Sequence, residues 1–158
     1  MSTVKEAVDV GVPIHTAYNQ WTQFADFPNF MEGVDEVTQL DDRHNHWTTS
    51  IGGVRREFDT EIVDQLPDDR ITWRTIEGDT RQRGSVRFEP LDPTHTRVEL
   101  TMDVEPSGLA EKGADALGMI DRRVKGDLRR FKDFIEQRGA ESGAWRGRIR
   151  PGDPGGLH

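Results

Sequence analysis

From Val34 to Glu105 the chain alternates apolar and polar residues with a period of two. Trp47, Thr49 and Ile51 are separated by His46, Thr48 and Ser50. Phe58, Thr60 and Ile62 alternate with Glu57, Asp59 and Glu61. Ile71, Trp73 and Thr75 follow with Thr72 and Arg74 between them, then Val86 and Phe88 among Ser85, Arg87 and Glu89. Val98, Leu100, Met102 and Val104 close the run against Arg97, Glu99, Thr101 and Asp103. Successive strand side chains point to opposite faces, so these segments predict one sheet with an apolar face and a charged face.

Turn residues set the register. Gly52-Gly53 suits a two-residue hairpin loop, which places Ile51 opposite Val54, Thr49 opposite Arg56 and Trp47 opposite Phe58. Pro67-Asp68-Asp69, Glu77-Gly78-Asp79 and Asp92-Pro93-Thr94 mark the next three turns. Simple pairing across Pro67 would set Asp64 beside Trp73, so a bulge or longer loop is expected there. Strands around Lys5–Gly11 and Val34–Leu40 bring the total to about seven.

Two stretches carry the helical period instead. After Pro13, the residues Ile14, Ala17, Tyr18, Trp21 and Phe24 recur at spacings of three and four, and Pro28 splits off a short second piece. Leu117, Ile120, Val124, Leu128, Phe131 and Ile135 form one long stripe, with Arg122, Arg123, Lys125, Arg129, Arg130 and Lys132 on the other faces. The stripe predicts an amphipathic helix of about 20–25 residues that stops at Gly139.

Composition refines this picture. The 158 residues are 33% hydrophobic and 32% charged, with net charge −8, yet include 4 Trp and 7 Phe. Aromatics at that density serve a core or a pocket, and the charges belong to the wet faces of strands and helix. An acidic chain is a poor match for nucleic acid, which needs a basic surface. With no Cys there is no disulfide or thiolate chemistry. No window suits an integral membrane segment and the start lacks a signal-peptide pattern, so the expected location is cytoplasmic. Residues 139–158 are Gly- and Arg-rich and read as a tail on a domain of residues 1–138, either disordered or pinned back by Trp145 and Ile149, with its Arg residues set against the acidic body.

A sheet with one apolar face must bury it, and only the long C-terminal helix is large enough to cover it. A curled sheet gripping one helix is expected to leave a cavity on its concave side. Its expected walls are Trp47, Thr49 and Ile51; Phe58, Thr60 and Ile62; Trp73 and Thr75; Val86 and Phe88; and Leu100 and Met102.

The order of elements resembles the helix-grip fold, and two motifs agree with it. WTQFADFPNFM is similar to the W-x-x-F-x-D-F-P-x-F signature of START-like proteins, and FEPLDPTHTRVELTMDVEP to their F-x-P-L…T-R-V stretch. GAWRG in the tail fits the same group. The chain thus resembles the SRPBCC superfamily, in its branch of bacterial polyketide cyclase/dehydrase and coenzyme-Q-binding START-type proteins. The resemblance implies an α+β helix-grip fold: about seven curved antiparallel strands around a long C-terminal helix, with two short helices after the first strand. It also implies a small hydrophobic ligand: an aromatic polyketide, a lipid or an isoprenoid.

Cyclisation or dehydration needs a proton donor or acceptor beside the substrate. Thr49, Thr60, Thr75 and Gln82 are the inward polar positions, although a strand Thr is usually a β-former with a satisfied hydroxyl. Arg56 and Glu77, nearer the strand ends, are the candidate catalytic groups, and solvated rim charges are the plainer reading of both. His44 and His46 are spaced to share a metal, but no further ligand converges on them, so no metal and no cofactor is expected. Trp21, Phe24, Phe27 and Phe30 either close the core or gate the cavity.

Three functions follow: a carrier of a hydrophobic molecule, a cyclase or dehydrase using the same cavity, and a protein-interaction module with a filled core. A homodimer is compatible with all three. Cavity volume separates the third from the others, and inward ionisable groups separate the first two.

Overall fold

The computed structural model describes residues 2–51, 53–78, 81–104 and 113–152, the side chains of residues 2, 51, 104 and 113–117, Ile51, Val104 and Leu117 among them, lying outside the description. Strand β1 (Ser2–Val10) leads into helix α1 (Ile14–Trp21) and a short 3-10 helix (Phe24–Asn29). Then come β2 (Val34–Gln39), β3 (His44–Ile51), β4 (Val54–Leu66), β5 (Arg70–Gly78), β6 (Gln82–Asp92) and β7 (His95–Val104). Helix α2 (Gly113–Arg138) follows. The strands form one antiparallel sheet in the order β1-β7-β6-β5-β4-β3-β2, and α2 packs chiefly over β1.

The expected registers hold. Ile51 pairs with Val54, Thr49 with Arg56 and Trp47 with Phe58, around a turn in which Gly53 takes φ +81°. That backbone conformation is easy only for glycine. Across Pro67 the pairing slips between Ile62 and Asp64, so Trp73 faces Ile62 and Asp64 faces Thr72. The slip keeps the carboxylate off the apolar face.

The first helix opens on Pro13, whose carbonyl accepts the N–H groups of Thr16 (3.0 Å) and Ala17 (3.1 Å). Pro28, which lacks an N–H to donate, lies inside the 3-10 segment. On α2 the apolar stripe of Val124, Leu128, Phe131 and Ile135 is buried, and the Gly139 N–H closes the last turn on the Ile135 carbonyl (2.9 Å).

On the convex face, charged side chains pair across strands. His46 Nδ1 lies 2.6 Å from Asp59 and its Nε2 lies 3.1 Å from Glu57, while Arg74 meets Glu61 at 3.0 Å. Hydrogen bonds from Asp59 and then Glu57 raise the His46 pKa above its ordinary 6.5. A raised folded-state pKa contributes stability that is complete below the unfolded value and lost as pH rises through the folded one. His46→Gln should therefore destabilise the protein more at pH about 5.5 than at pH about 8. Urea midpoints at the two pH values measure this, and an equal loss at both would contradict it.

The tail returns to the body as far as the description extends. Ile149, 3% exposed, bridges to Gln65 through paired backbone hydrogen bonds of 2.8 and 3.0 Å. Trp145 N–H donates to Thr22 Oγ1 (3.0 Å), and Ser142 bonds Gln20 and Asp26. Arg146 donates to Asn19 Oδ1 (2.6 Å), pairs with Asp68 (2.9 Å) and lies over the Tyr18 ring. Of the two states open to the tail, the described part takes the docked one, held by Trp145, Ile149 and Arg146.

Candidate functional site

Two aromatics on neighbouring strands form a fixed wall on the concave face. The β3–β4 register sets Trp47 beside Phe58, with ring planes 9° apart and centroids 5.9 Å apart. Trp47 Nε1–H donates to Thr60 Oγ1 (2.8 Å), so indole and hydroxyl hold each other on a buried surface. Phe24 and Phe27 from the 3-10 helix close on the other side of Trp47, with centroids 6.4 and 5.7 Å away.

Trp73 is held differently. It sits opposite Gly84 on β6, and its indole lies against that strand where a side chain would be; a Cβ on Gly84 would collide with the ring. Trp73 joins none of the ring contacts found among the described residues, and its indole N–H finds no partner among them. The Thr49 hydroxyl is likewise unpartnered among the described residues, in a residue only 6% exposed. Gly84→Ala should displace the Trp73 indole and red-shift its fluorescence while the far-ultraviolet signal keeps its sheet character. An unchanged emission spectrum would contradict this packing.

Of the remaining expected wall residues, Ile62, Val86, Phe88 and Leu100 are buried and Met102 is half-buried against the core. Thr75 is half-buried, and its hydroxyl bonds the backbone N–H and carbonyl of Gln82, both at 3.1 Å, so it ties β5 to β6. Arg56 and Glu77 are exposed. Each lies so near a strand end that its side chain reaches water, the placement of a solvated rim charge, and neither is brought against the inner wall.

An inward carboxyl was missed. Glu6 pairs with Leu100 across β1 and β7, between Val4 and Val8 on the apolar face. Its hydrogen bond with Asp121 of α2, then burial, raises its pKa, and the same bond lowers that of Asp121. Lys125 Nζ lies 3.9 Å from the Glu6 carboxylate. The signal was in the sequence: Val4, Glu6, Val8 and Val10 share the period-two face.

Much of the space expected to be a cavity is filled. Trp21, Phe27, Phe30 and Phe131 are at most 1% exposed and touch one another, with Trp21 to Phe131 at 4.8 Å. These aromatics close the core, the first of the two roles open to them. A pocket of about 20 Å³ lies between Phe24, Ile62, Gln65 and Trp145, room for about one water. A larger groove of about 320 Å³ lies outside the sheet, along α2. Among the described residues no three His, Asp or Glu side chains gather as metal ligands, and no helix is long and apolar enough to cross a membrane.

The fold and its inward aromatic face can be compared with known proteins. The model of the family described as "Polyketide cyclase / dehydrase and lipid transport" matches residues 10–133. The chain belongs to this family. A member-like relative, an uncharacterised 17.2 kDa protein of Streptomyces lincolnensis, is 54% identical over 149 residues, covering 94% of this chain and 99% of its own. Two solved structures share the fold of this family member. The Zhui aromatase/cyclase of a Streptomyces species superposes with TM-score 0.74 at 17% identity, over 91% of this chain and 99% of that one. A START superfamily protein of Mycobacterium smegmatis gives TM-score 0.71 at 19% identity, over 85% and 97%. The stretch WTQFADFPNFM lies within the residues that the family model matches, and here it builds the aromatic core.

Proposed function

We propose that the protein binds a small, planar, hydrophobic molecule on its concave face, against Trp47, Phe58 and Trp73, by parting the packed side chains there, because the pocket of about 20 Å³ on that side holds no ring and volume alone favours the filled-core module. The observation that carries this reading is Trp73: a large aromatic on the inner face of the sheet, with no ring partner among the described residues, held flat by a glycine. Thr49 on the same face offers an unpartnered hydroxyl to a polar atom of the ligand. Membership of a cyclase/dehydrase and lipid transport family, and a fold shared with an aromatase/cyclase, support an aromatic or lipid-like ligand. A hydrophobic surface with few well-placed polar groups suits such a molecule.

Native mass spectrometry of protein purified from its own host tests this. The account expects an added mass that leaves on denaturation and partitions into organic solvent. The bare chain mass, together with failure of planar apolar compounds to bind the purified protein, would overturn it. Trp73→Ala should weaken that binding by about 1–2 kcal/mol, more than any exposed substitution on the convex face.

A second reading, an aromatic cyclase or dehydrase, is favoured by Glu6. With Arg56 and Glu77 exposed, Glu6 is an inward carboxyl whose pKa is raised, first by its hydrogen bond with Asp121 and then by burial. On that reading Glu6→Gln keeps ligand binding and abolishes turnover of a bound polyketide; unchanged turnover excludes Glu6 from the chemistry.

A further inference from the structure

The outer groove has a chemistry unlike the concave face. One wall is a stripe of α2: Met119, Arg122, Arg123, Gly126 and Arg130. The other is Glu32, in the turn between the 3-10 helix and β2. The walls are tied together. Arg123 Nη1 donates to the Glu32 carbonyl (2.9 Å), and Arg130 Nε donates to the Phe30 carbonyl (3.0 Å). Asp127 accepts both Arg130 Nη2 (2.5 Å) and the Glu32 backbone N–H (3.1 Å), and its burial raises its pKa. Gly126 lets the Arg130 guanidinium lie close against the helix: a Cβ there would stand 3.1 Å from Arg130 Nη2.

These bonds fix two guanidinium groups without using all their donors. Arg123 keeps donors beyond Nη1, and Arg130 Nη1 has only the Glu32 carboxylate at 3.5 Å, whose side chain is 73% exposed. Arg122 is exposed and has no hydrogen-bond partner among the described residues. The concentration of cations is local: between Gly118 and Lys132 six Arg and Lys stand against Asp121 and Asp127, in a chain of net charge −8. Planar guanidinium forks match the geometry of carboxylate and phosphate oxygens. The exposed Met119 adds an apolar contact at one end.

We infer that this groove is an oxyanion site, which takes a phosphate or carboxylate group carried on a small apolar body. It is separate from the concave face and from the ligand proposed there. Its volume of about 320 Å³ is enough for a one-ring compound with such a head group.

Calorimetric titration of the full chain with phenyl phosphate and with benzoate tests the site and tells the two oxyanions apart. The site requires saturable binding of at least one of them. Arg122→Gln should weaken that binding about fivefold or more, while Arg129→Gln should change it less than about twofold. Both residues are exposed on the same helix and both changes remove one positive charge, but Arg129 lies outside the groove. Equal losses in the two variants would show general charge attraction and overturn the site. Absence of saturable binding of both probes to the unaltered protein would overturn it as well.

Discussion

Trp21→Ala is expected to cost on the order of 3–5 kcal/mol of folding stability. The ring is 1% exposed and joins three parts of the fold: Phe27 and Phe30 after α1, Phe88 on β6 and Phe131 on α2. Its indole nitrogen has no hydrogen-bond partner among the described residues, so the loss is one of packing rather than of a polar contact. Chemical denaturation would show a lowered midpoint with an unchanged slope. A loss below about 1 kcal/mol would mean that the surrounding rings collapse into the space, which their mutual edge-on contacts oppose.

The second large effect is expected from ending the chain at Arg138. The loss should be on the order of 3–5 kcal/mol, with Ile149→Ala accounting for about 2 kcal/mol or more of it. Removing the tail uncovers Tyr18, Gln65 and the α1 surface, which Arg146, Trp145 and Ile149 cover. The Tyr18 hydroxyl, whose pKa burial raises, would also become easier to ionise. A shortened chain with an unaltered thermal midpoint would reduce residues 139–152 to an incidental contact.

The strand register was legible because small, local rules set it. Gly52-Gly53 fixes which residues face each other for the length of the β3–β4 hairpin, and the conflict between Asp64 and Trp73 announces the slip that resolves it. The long helix was legible from one six-residue stripe, of which Val124, Leu128, Phe131 and Ile135 prove buried. Filling was not legible. Alternation assigns Trp47, Phe58 and Trp73 to the inner face, but how much room remains depends on how Trp21, Phe27 and Phe30 reach in from two short helices, which period alone does not encode.

The site residues divide along the same line. Thr60 and Thr75 face inward as their parity demands, and each spends its hydroxyl on a neighbour, Trp47 and Gln82. Arg56 and Glu77 lie near strand ends, where parity loses its hold and solvent decides. Glu6 had the right parity but the wrong polarity for an apolar face, and its partner Asp121 lies more than a hundred residues away. The arginine groove depends on a turn meeting a helix, so no local pattern displays it.

The four tryptophans supply a direct test of where a ligand sits. Trp47 and Trp73 lie on the proposed ligand face, Trp21 lies in the packed core, and Trp145 lies in the docked tail. With 15N-labelled indoles, titration with 2-naphthol should shift the side-chain N–H resonances of Trp47 and Trp73 and leave those of Trp21 and Trp145 in place. Shifts confined to Trp145, or no saturable shift in any of the four, would contradict a ligand site on the concave face.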